Sequence, residues 1–545
     1  MLAWGVLPVA LSFHPASARA LPVLGLLRGP LGLLWAGLAL AVAIHGFVTQ
    51  SARPALRPSP LRLFAVSAVL LALIGAHYTS RMQATGDEPH YLVMAQSLWR
   101  EGDLDLRDNY ARQDYHEFTP GSLTPHYGEP RADGRPFPAH SPGLPLLLAP
   151  VYALGGRAAC AVLLALLAAA LAGETRRLAL LATGDEAAAL TAWAVVIGPP
   201  VALYSFHTYT EVPSALAVAL ALRLLLGGAG VGAAALAGAL AGALPWLHPK
   251  MIPAAGVLGA LGLVRLRGRP RLVLLAVAAA EVAALCVFYW RVFGRPTPLA
   301  VYGGMPQDAS GQPVRALVGL LLDRSFGLLP HAPLFLLALA GLVRLRGHLR
   351  ATWPQLLVGA AVLAPVLPWR MWWGGQCPPA RFLVPLVPLL GVLAALRVAA
   401  GGTGLARWRG ALAALGVAYV LFVSFEPGRL LLVNRGSRPT RLWEALSASP
   451  GQVAHYLPSL VAPQPDDWRT AVVWLVALAV LLALDLLAAR GRRIDAWFRG
   501  LVLPAILLLA VGLGVDNWAR PGGASASPAT AVPDVAPAAL PSGER

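Results

Sequence analysis

From end to end this chain alternates long runs of Leu, Ala and Val with short linkers whose charges are nearly all arginine, and that alternation leaves very few folds open. Each run comes near the roughly 20 residues a helix needs to cross a bilayer. In lipid, backbone amides and carbonyls have no water to bond to and must pair within their own segment, so the runs are helices and the fold is all-α. Composition points the same way. Of 545 residues, 57% are hydrophobic and 13% charged, with a mean hydropathy of +0.63, whereas soluble domains carry roughly 25% charged residues. The sequence predicts a polytopic integral membrane protein with about 13 to 14 transmembrane helices and a long first extracytoplasmic loop carrying juxtamembrane helices.

A net charge of +17 would suit a nucleic-acid binder if it formed one patch. Here it is dispersed in clusters between apolar runs, as in the cytoplasmic loops of membrane proteins, and nucleic acid is excluded as a partner. Placing SARPALRPSPLR, with Arg53, Arg57 and Arg62, in the cytoplasm sends the run at about 61 to 80 outward. Further spans are read at about 157–175, 187–204, 211–228, 231–247, 251–264, 271–292, 328–343, 354–371, 381–399, 410–425, 470–489 and 500–515. Counting through them puts Arg176 and Arg177, then Arg265, Arg267, Arg269 and Arg271, then Arg344, Arg346 and Arg350, then Arg407 and Arg409, then Arg490, Arg492 and Arg493 inside. One miscounted span would throw the later clusters outside, against the charge bias.

The chain divides into an N-terminal membrane segment with its arginine linker (1–60), a transmembrane core (61–425, first outer loop about 81–156), an outer loop with C-terminal helices (426–515) and a disordered tail (516–545) rich in Pro, Ala, Ser and Gly. Residues 1–28 are apolar but interrupted by His14, Pro15, Arg19 and Arg28, which leaves a cleaved signal open, and about 31–48 reads as a span. The stretch 141–156 is short for a span and reads as a re-entrant or interfacial helix. Cys160, Cys286 and Cys377 are too few and scattered for a disulfide framework or a cysteine metal site. No internal repeat is evident, so an inverted-repeat transporter gains no support.

The same parity places six polar stretches outside: TGDEPHY with the loop behind it, SFHTYTE, PWLHPK, FGRPTPLAVYGG, DRSFGLLPHAP and WWGGQCPPARF. Each mixes ionisable residues with aromatics and Gly or Pro beside a span, the composition of a pocket at the membrane surface. Asp87 and Glu88 open an amphipathic helix together with His90 and Tyr91; they serve either as a helix cap or, for one carboxylate, as a general base beside an acceptor hydroxyl. Neighbours on a helix point in different directions, so one can face a pocket and the other not. His116, Glu117, His126 and His140 lie further along the loop. Glu88, His90 and His140 are taken as the candidate ligands of a divalent metal, the one cofactor considered, although no tight ligand spacing is present. Lys250 and Arg381 either snorkel to the interface or bind a lipid phosphate, and the positive-inside bias favours the phosphate. His90, Tyr91, His207, Glu211 and His248 are candidate substrate contacts, with helix capping as the alternative for Glu211. Trp372 and Trp373, with Trp369, form either an aromatic belt or a platform for a sugar ring.

GDEPHYLVMAQSL, YTEVPSALAVALALRLL and WWGGQCPPARFLVPLVP, in this order across residues 61–400, resemble bacterial membrane glycosyltransferases of the GT-C superfamily, in particular the protein O-mannosyltransferase and lipid A aminoarabinose transferase group. The resemblance implies a bacterial cytoplasmic-membrane enzyme that takes a sugar from a polyprenyl-phosphate carrier and attaches it, with inversion of the anomeric carbon as the expected course, to a cell-envelope acceptor outside. It assigns the base to Asp87, a second acidic role to Glu88 and the donor-phosphate contact to Arg381; Lys250 joins them on position and charge. No soluble MIR-like domain is evident, so a protein acceptor is not implied. If the assignment holds, Asp87, Lys250 and Arg381 share one small site, within about 20 Å of one another. Two other classes compete. A lipid-linked glycan ligase or polymerase would rely on the loop at about 426–468, with Arg429, Arg435, Arg438, Arg441 and His455, and a transporter or flippase would need ionisable residues near mid-span, for which Glu281 and Asp485 are the candidates.

Overall fold

Proline, glycine and capping residues decide where the apolar runs start and stop as helices. The computed structural model describes residues 2–33, 36, 58–228, 230–303, 310–401, 405, 409–425, 441–447, 452–489 and 510–519. The longer helices among them are α1 (Leu2–Phe13), α2 (Pro60–Arg81), α3 (Glu88–Arg100), α4 (Gly143–Thr183), α5 (Glu186–Ile197), α6 (Glu211–Leu226), α7 (Val231–Leu247), α8 (Ile252–Arg265), α9 (Gly268–Phe293), α10 (Pro313–Leu322), α11 (Leu336–Val343), α12 (Leu349–Leu363), α13 (Val387–Ala399), α14 (Arg409–Phe425) and α15 (Pro465–Ala489). Among the described residues the only β pairing is one bridge between Tyr127 and Pro138. Ser59 accepts a hydrogen bond from the Arg62 amide and Pro60 occupies the first turn of α2, where a missing N–H costs nothing. Among the described residues five segments are long and apolar enough to cross a membrane, Pro60–Arg81, Gly143–Thr183, Gly268–Tyr302, Arg381–Ala399 and Pro465–Leu487. The chain is an all-α, multi-pass membrane protein.

Several expected spans are altered by their own residues. The stretch 141–156 and the following span share the range of α4 but are two helical pieces, parted by a kink at Gly155 and Gly156 where the backbone leaves helical geometry, so the first piece is separate from the span, as its length predicts. The expected span 187–204 stops at Ile197, before Gly198, Pro199 and Pro200, and resumes as a short helix at Val201–Tyr204. The run 328–343 is cut into Leu328–His331, Pro333–Phe335 and α11, and α12 ends at Leu363, ahead of Pro365 and Pro368, which donate no backbone hydrogen bond. Residues 516–519, expected in the disordered tail, instead continue a C-terminal helix that seats Asp516 beside Tyr456 and buries Ala519. The span at 31–48, the linker arginines Arg53 and Arg57, Arg407, the Arg490 cluster, most of the loop at 426–440 and the tail beyond 519 lie outside the described residues.

Helix α4 sits at the centre, packed against α2, α3, α5, α6 and α13, while α7 packs on α9, α8 on α12 and α11 on α13. At the α7–α9 crossing a Cβ on Gly238 would lie 2.5 Å from the Leu274 carbonyl oxygen, so only glycine lets these helices approach so closely. Away from the outer stretches, Arg397 holds Asp485 through Nε and Nη2 at 2.6 Å each, the Leu405 amide adds 2.9 Å, and Arg344 stands 3.5 Å away. That clamp joins α15 to α13 and α11. Asp485 is therefore committed to holding these helices together.

The six stretches that parity assigns to one side do meet. The Glu129 amide donates to Val301 and the Ala380 amide to Phe326, each at 2.9 Å. Tyr204 and Tyr209 hydroxyls donate to the carbonyls of Pro378 at 2.6 Å and Gln376 at 2.9 Å.

Candidate functional site

The site is organised by a turn at Gly86. Its φ of +63° is a left-handed conformation that glycine accepts readily, and a Cβ there would lie 2.3 Å from the Gln376 oxygen and 2.5 Å from the Tyr209 hydroxyl. Asp87 follows at the N-cap of α3, yet its side chain accepts no capping hydrogen bond. Its Oδ2 instead lies 2.7 Å from Nη2 of Arg381. Capping therefore does not account for this carboxylate.

Arg381 begins a 3-10 turn (Arg381–Leu386) after Ala380, whose φ is +58°, and packs its Cδ against Gly374, where a Cβ would come within 2.8 Å. Besides Asp87, its guanidinium donates from Nε to Glu211 Oε1 at 3.0 Å and from Nη1 to the Gly374 oxygen at 2.9 Å, and lies 4.3 Å above the Tyr209 ring. Lys250 Nζ reaches the same Glu211 oxygen at 2.7 Å and sits 4.3 Å above Phe382. The result is a continuous chain, Asp87–Arg381–Glu211–Lys250, with two carboxylates and two cations. Glu211, Arg381 and Lys250 side chains are 0%, 6% and 9% exposed, whereas Asp87 is 24% exposed and so is the member open to a ligand. Asp87, Lys250 and Arg381 thus occupy one small site.

The outer loop folds back over Asp87. The Gly128 amide donates to Phe137 and the Ala139 amide to His126, each at 2.9 Å, so His126 and His140 come side by side with Nδ1 and Nε2 3.4 Å apart. His90 stacks on His126 at 4.1 Å and its Nδ1 is hydrogen-bonded with the Tyr110 hydroxyl at 2.8 Å; Tyr91 packs on His140 at 4.7 Å. Burial would raise the Asp87 carboxyl, but the Arg381 guanidinium and the imidazoles of His140 and His126 outweigh it and hold it well below the usual carboxylate range. Burial pushes His140 down to about 4, against the pull of Asp87, so its ring is neutral at neutral pH with a lone pair free to bind. Ligand atoms of Asp87, His126 and His140 all lie within 4.8 Å of one another. An N,N,O donor set of this kind suits a divalent transition metal.

That trio differs from the expected Glu88, His90 and His140. Glu88 points the other way, into the bundle, where it is 0% exposed and accepts from the Thr208 amide at 3.1 Å; one residue of helix rotation, about 100°, separates it from Asp87. His90 is already committed to Tyr110. His207 is also buried away from the site, bonding Leu203 through Nδ1 at 2.6 Å, which does not fit a substrate contact. Trp372 is 1% exposed, with its ring packed on the backbone of Gly319, so it cannot offer a face to a sugar; Trp373 is partly exposed. His248 accepts from the Lys250 amide at 3.1 Å, and burial, with Lys250 and Arg381 nearby, keeps its ring neutral. Arg157 escaped the sequence reading. Its signal was there, because Arg157 opens the expected span 157–175 at the end that arginine parity assigns to the outside, against the positive-inside bias.

No protein-family model and no curated protein matches the chain. Among solved structures it is similar to ArnT from Cupriavidus metallidurans bound to undecaprenyl phosphate, at 16% identity and a TM-score of 0.46, covering 84% of this chain and 75% of that one. The same protein in the apo state gives 18% and 0.45 over the same shares. It is also similar to the archaeal oligosaccharyltransferase AglB from Archaeoglobus fulgidus in complex with an inhibitory peptide and a dolichol-phosphate, at 14% identity and a TM-score of 0.36, over 67% of this chain and 55% of that one.

Proposed function

We propose that the chain is a membrane glycosyltransferase of the GT-C kind, moving a sugar from a polyprenyl-phosphate carrier to a hydroxyl acceptor of the cell envelope on the extracytoplasmic side of a bacterial inner membrane. The observation that carries this reading is the ion-pair chain Asp87–Arg381–Glu211–Lys250, closed except at Asp87. Two cations fixed by one buried carboxylate make a receptor for a phosphate, and a second carboxylate at its open end makes a base.

Arg381 and Lys250 receive the carrier phosphate, and the incoming anion competes with Asp87 for Arg381. As that 2.7 Å contact loosens, Asp87 Oδ2 becomes free to take the acceptor's proton. The acceptor oxygen then attacks the sugar C1 from the face opposite the phosphate, the C1–O bond breaks with its electron pair on the phosphate oxygen, and the anomeric carbon inverts. The leaving group is a phosphate monoester anion, so balancing its charge with Arg381 and Lys250 replaces a general acid. Partly exposed Trp373 is the remaining aromatic platform for the sugar.

A second reading of Asp87 follows from its place beside His126 and His140. The three would hold a divalent metal, which when bound would supply further positive charge toward the phosphate. One carboxylate serves poorly as ligand and base together, so metal dependence discriminates the two roles. The ligase or polymerase reading has no comparable constellation among the described residues of the late outer loop. The test of the proposal is mass spectrometry of envelope glycans and lipids from a deletion strain complemented with wild type or Asp87→Asn. The expected result is one sugar modification lost on deletion, restored by wild type and not by Asp87→Asn; restoration by Asp87→Asn at equal protein level would refute the base assignment.

A further inference from the structure

Behind the Asp87 turn lies a second buried polar cluster that the transfer step does not use. Glu88 at the start of α3, Arg157 just beyond the Gly155–Gly156 break in α4, His207 in the turn before α6 and Tyr78 in the last turns of α2 converge there. Arg157 Nη2 stands 3.8 Å from Glu88 Oε2 and His207 Nε2 4.0 Å from Glu88 Oε1. The guanidinium lies 5.4 Å above the Tyr78 ring, which packs on the His207 ring at 4.7 Å, and Arg157 also donates to the Met82 oxygen. Glu88 Oε1, Arg157 Nη2, His207 Nε2 and the Tyr78 hydroxyl are all buried without a direct hydrogen-bond partner among the described residues. A carboxylate at 0% exposure needs a compensating cation, and Arg157 is the one beside it.

Three of the four members come from elements that lead into the site, since Glu88 follows Asp87 at the start of α3, the His207 turn leads to Tyr209 and Glu211, and the chain after α2 leads to Gly86; Arg157 reaches them from α4. We propose that Glu88 is a positioning residue, whose pairing with Arg157, completed by His207 and Tyr78, fixes the turn that presents Asp87 to Arg381. The inference rests on the glycosyl-transfer reading with Asp87 as base. Neutralising either charge leaves the other buried and uncompensated, so the cluster opens and α3 shifts. A displacement of about 1 Å at the base is worth roughly 100-fold in rate.

The experiment compares wild type, Glu88→Gln, Arg157→Gln and the double variant in nanodiscs, measuring kcat and both KM values for sugar transfer from lipid extract, with the melting temperature of each protein. Each single variant is expected to lose about 100-fold in kcat with KM values changed less than about threefold, and the double variant, which removes both charges, is expected to regain at least about tenfold over either single. Full kcat in Glu88→Gln, or a double variant as slow as the slower single, overturns the proposal and makes Glu88 either irrelevant or chemically engaged. Melting gives a readout independent of transfer. A double variant that melts above the sum of the two single losses supports the pairing even if wild type transfers no sugar, the outcome that would sink the functional reading alone; additive losses overturn the pairing. If Glu88→Gln does not yield monodisperse protein, Tyr78→Phe and His207→Gln probe the same cluster, and unchanged kcat in both overturns it.

Discussion

Replacing Arg381 with lysine keeps the charge and removes the geometry, which makes it the sharpest probe of the site. The guanidinium makes three contacts, with Asp87 at 2.7 Å, Glu211 at 3.0 Å and the Gly374 oxygen at 2.9 Å. A lysine ammonium is a compact point charge on a flexible stem and cannot span that fork. Glu211 is fully buried and keeps Lys250 in either case, so a lysine at position 381 settles on one carboxylate and gives up the rest. Losing one charge-assisted hydrogen bond is worth about 1.5–3 kcal/mol, and losing the stack on Tyr209 about 1 kcal/mol more. If, as proposed, a phosphate takes the place of Asp87, the same fork grips it, so the predicted loss in affinity for a polyprenyl phosphate is about 2.5–4 kcal/mol, or roughly 70- to 900-fold. Titration of undecaprenyl phosphate into nanodisc-embedded protein, followed by native mass spectrometry, measures it directly. Arg381→Lys should remain folded, since Lys250 still compensates Glu211, while binding weakly. Wild-type affinity in the folded Arg381→Lys protein would refute the phosphate role and reduce Arg381 to a structural counter-ion of Asp87 and Glu211.

Three further outcomes are expected. Gly86→Ala, forced into φ +63° with its Cβ 2.3 Å from the Gln376 oxygen, should lower transfer activity at least about tenfold, because the left-handed strain of about 1–2 kcal/mol and the clash both displace Asp87; unchanged activity in a membrane assay would show that the turn does not set the base. Asp485→Ala leaves Arg397 buried without its bidentate partner and should destabilise the protein by about 3–5 kcal/mol, read as a clear fall in the melting temperature in detergent, while transport-type activity is not involved. The His126→Ala/His140→Ala variant should carry less zinc or manganese than wild type by elemental analysis after metal loading; equal metal content would remove the metal reading of Asp87.

The helices were largely legible because lipid imposes a simple rule on long apolar runs, but their breaks were not read: the expected spans 187–204 and 354–371 run through Pro199–Pro200 and through Pro365 and Pro368, where the helices stop at Ile197 and Leu363. The four charges of the site were legible too, since Asp87, Glu211, Lys250 and Arg381 all stand beside apolar runs in the polar stretches that arginine parity groups on one side. What the string could not supply was direction. Asp87 and Glu88 are neighbours, and only the placement of Arg381 on one side and Arg157 on the other decides which faces the ligand. His126 replaced His90 beside His140 because the loop closes through Tyr127 and Pro138, a pairing with no periodic signal. Trp372 looked like an aromatic platform, but the absence of a side chain at Gly319 opens a slot that buries it.

Under the proposed function, Asp87 drives cleavage of a polyprenyl-phosphate sugar. The most direct measurement incubates purified protein in nanodiscs with lipid extract from a deletion strain and follows lipid-linked sugar, free polyprenyl phosphate and glycosylated acceptor together by mass spectrometry. Wild type is predicted to convert the lipid-linked sugar into polyprenyl phosphate and product in equal amounts, and folded Asp87→Asn to do neither. No consumption by wild type, or equal consumption by Asp87→Asn, would contradict the account.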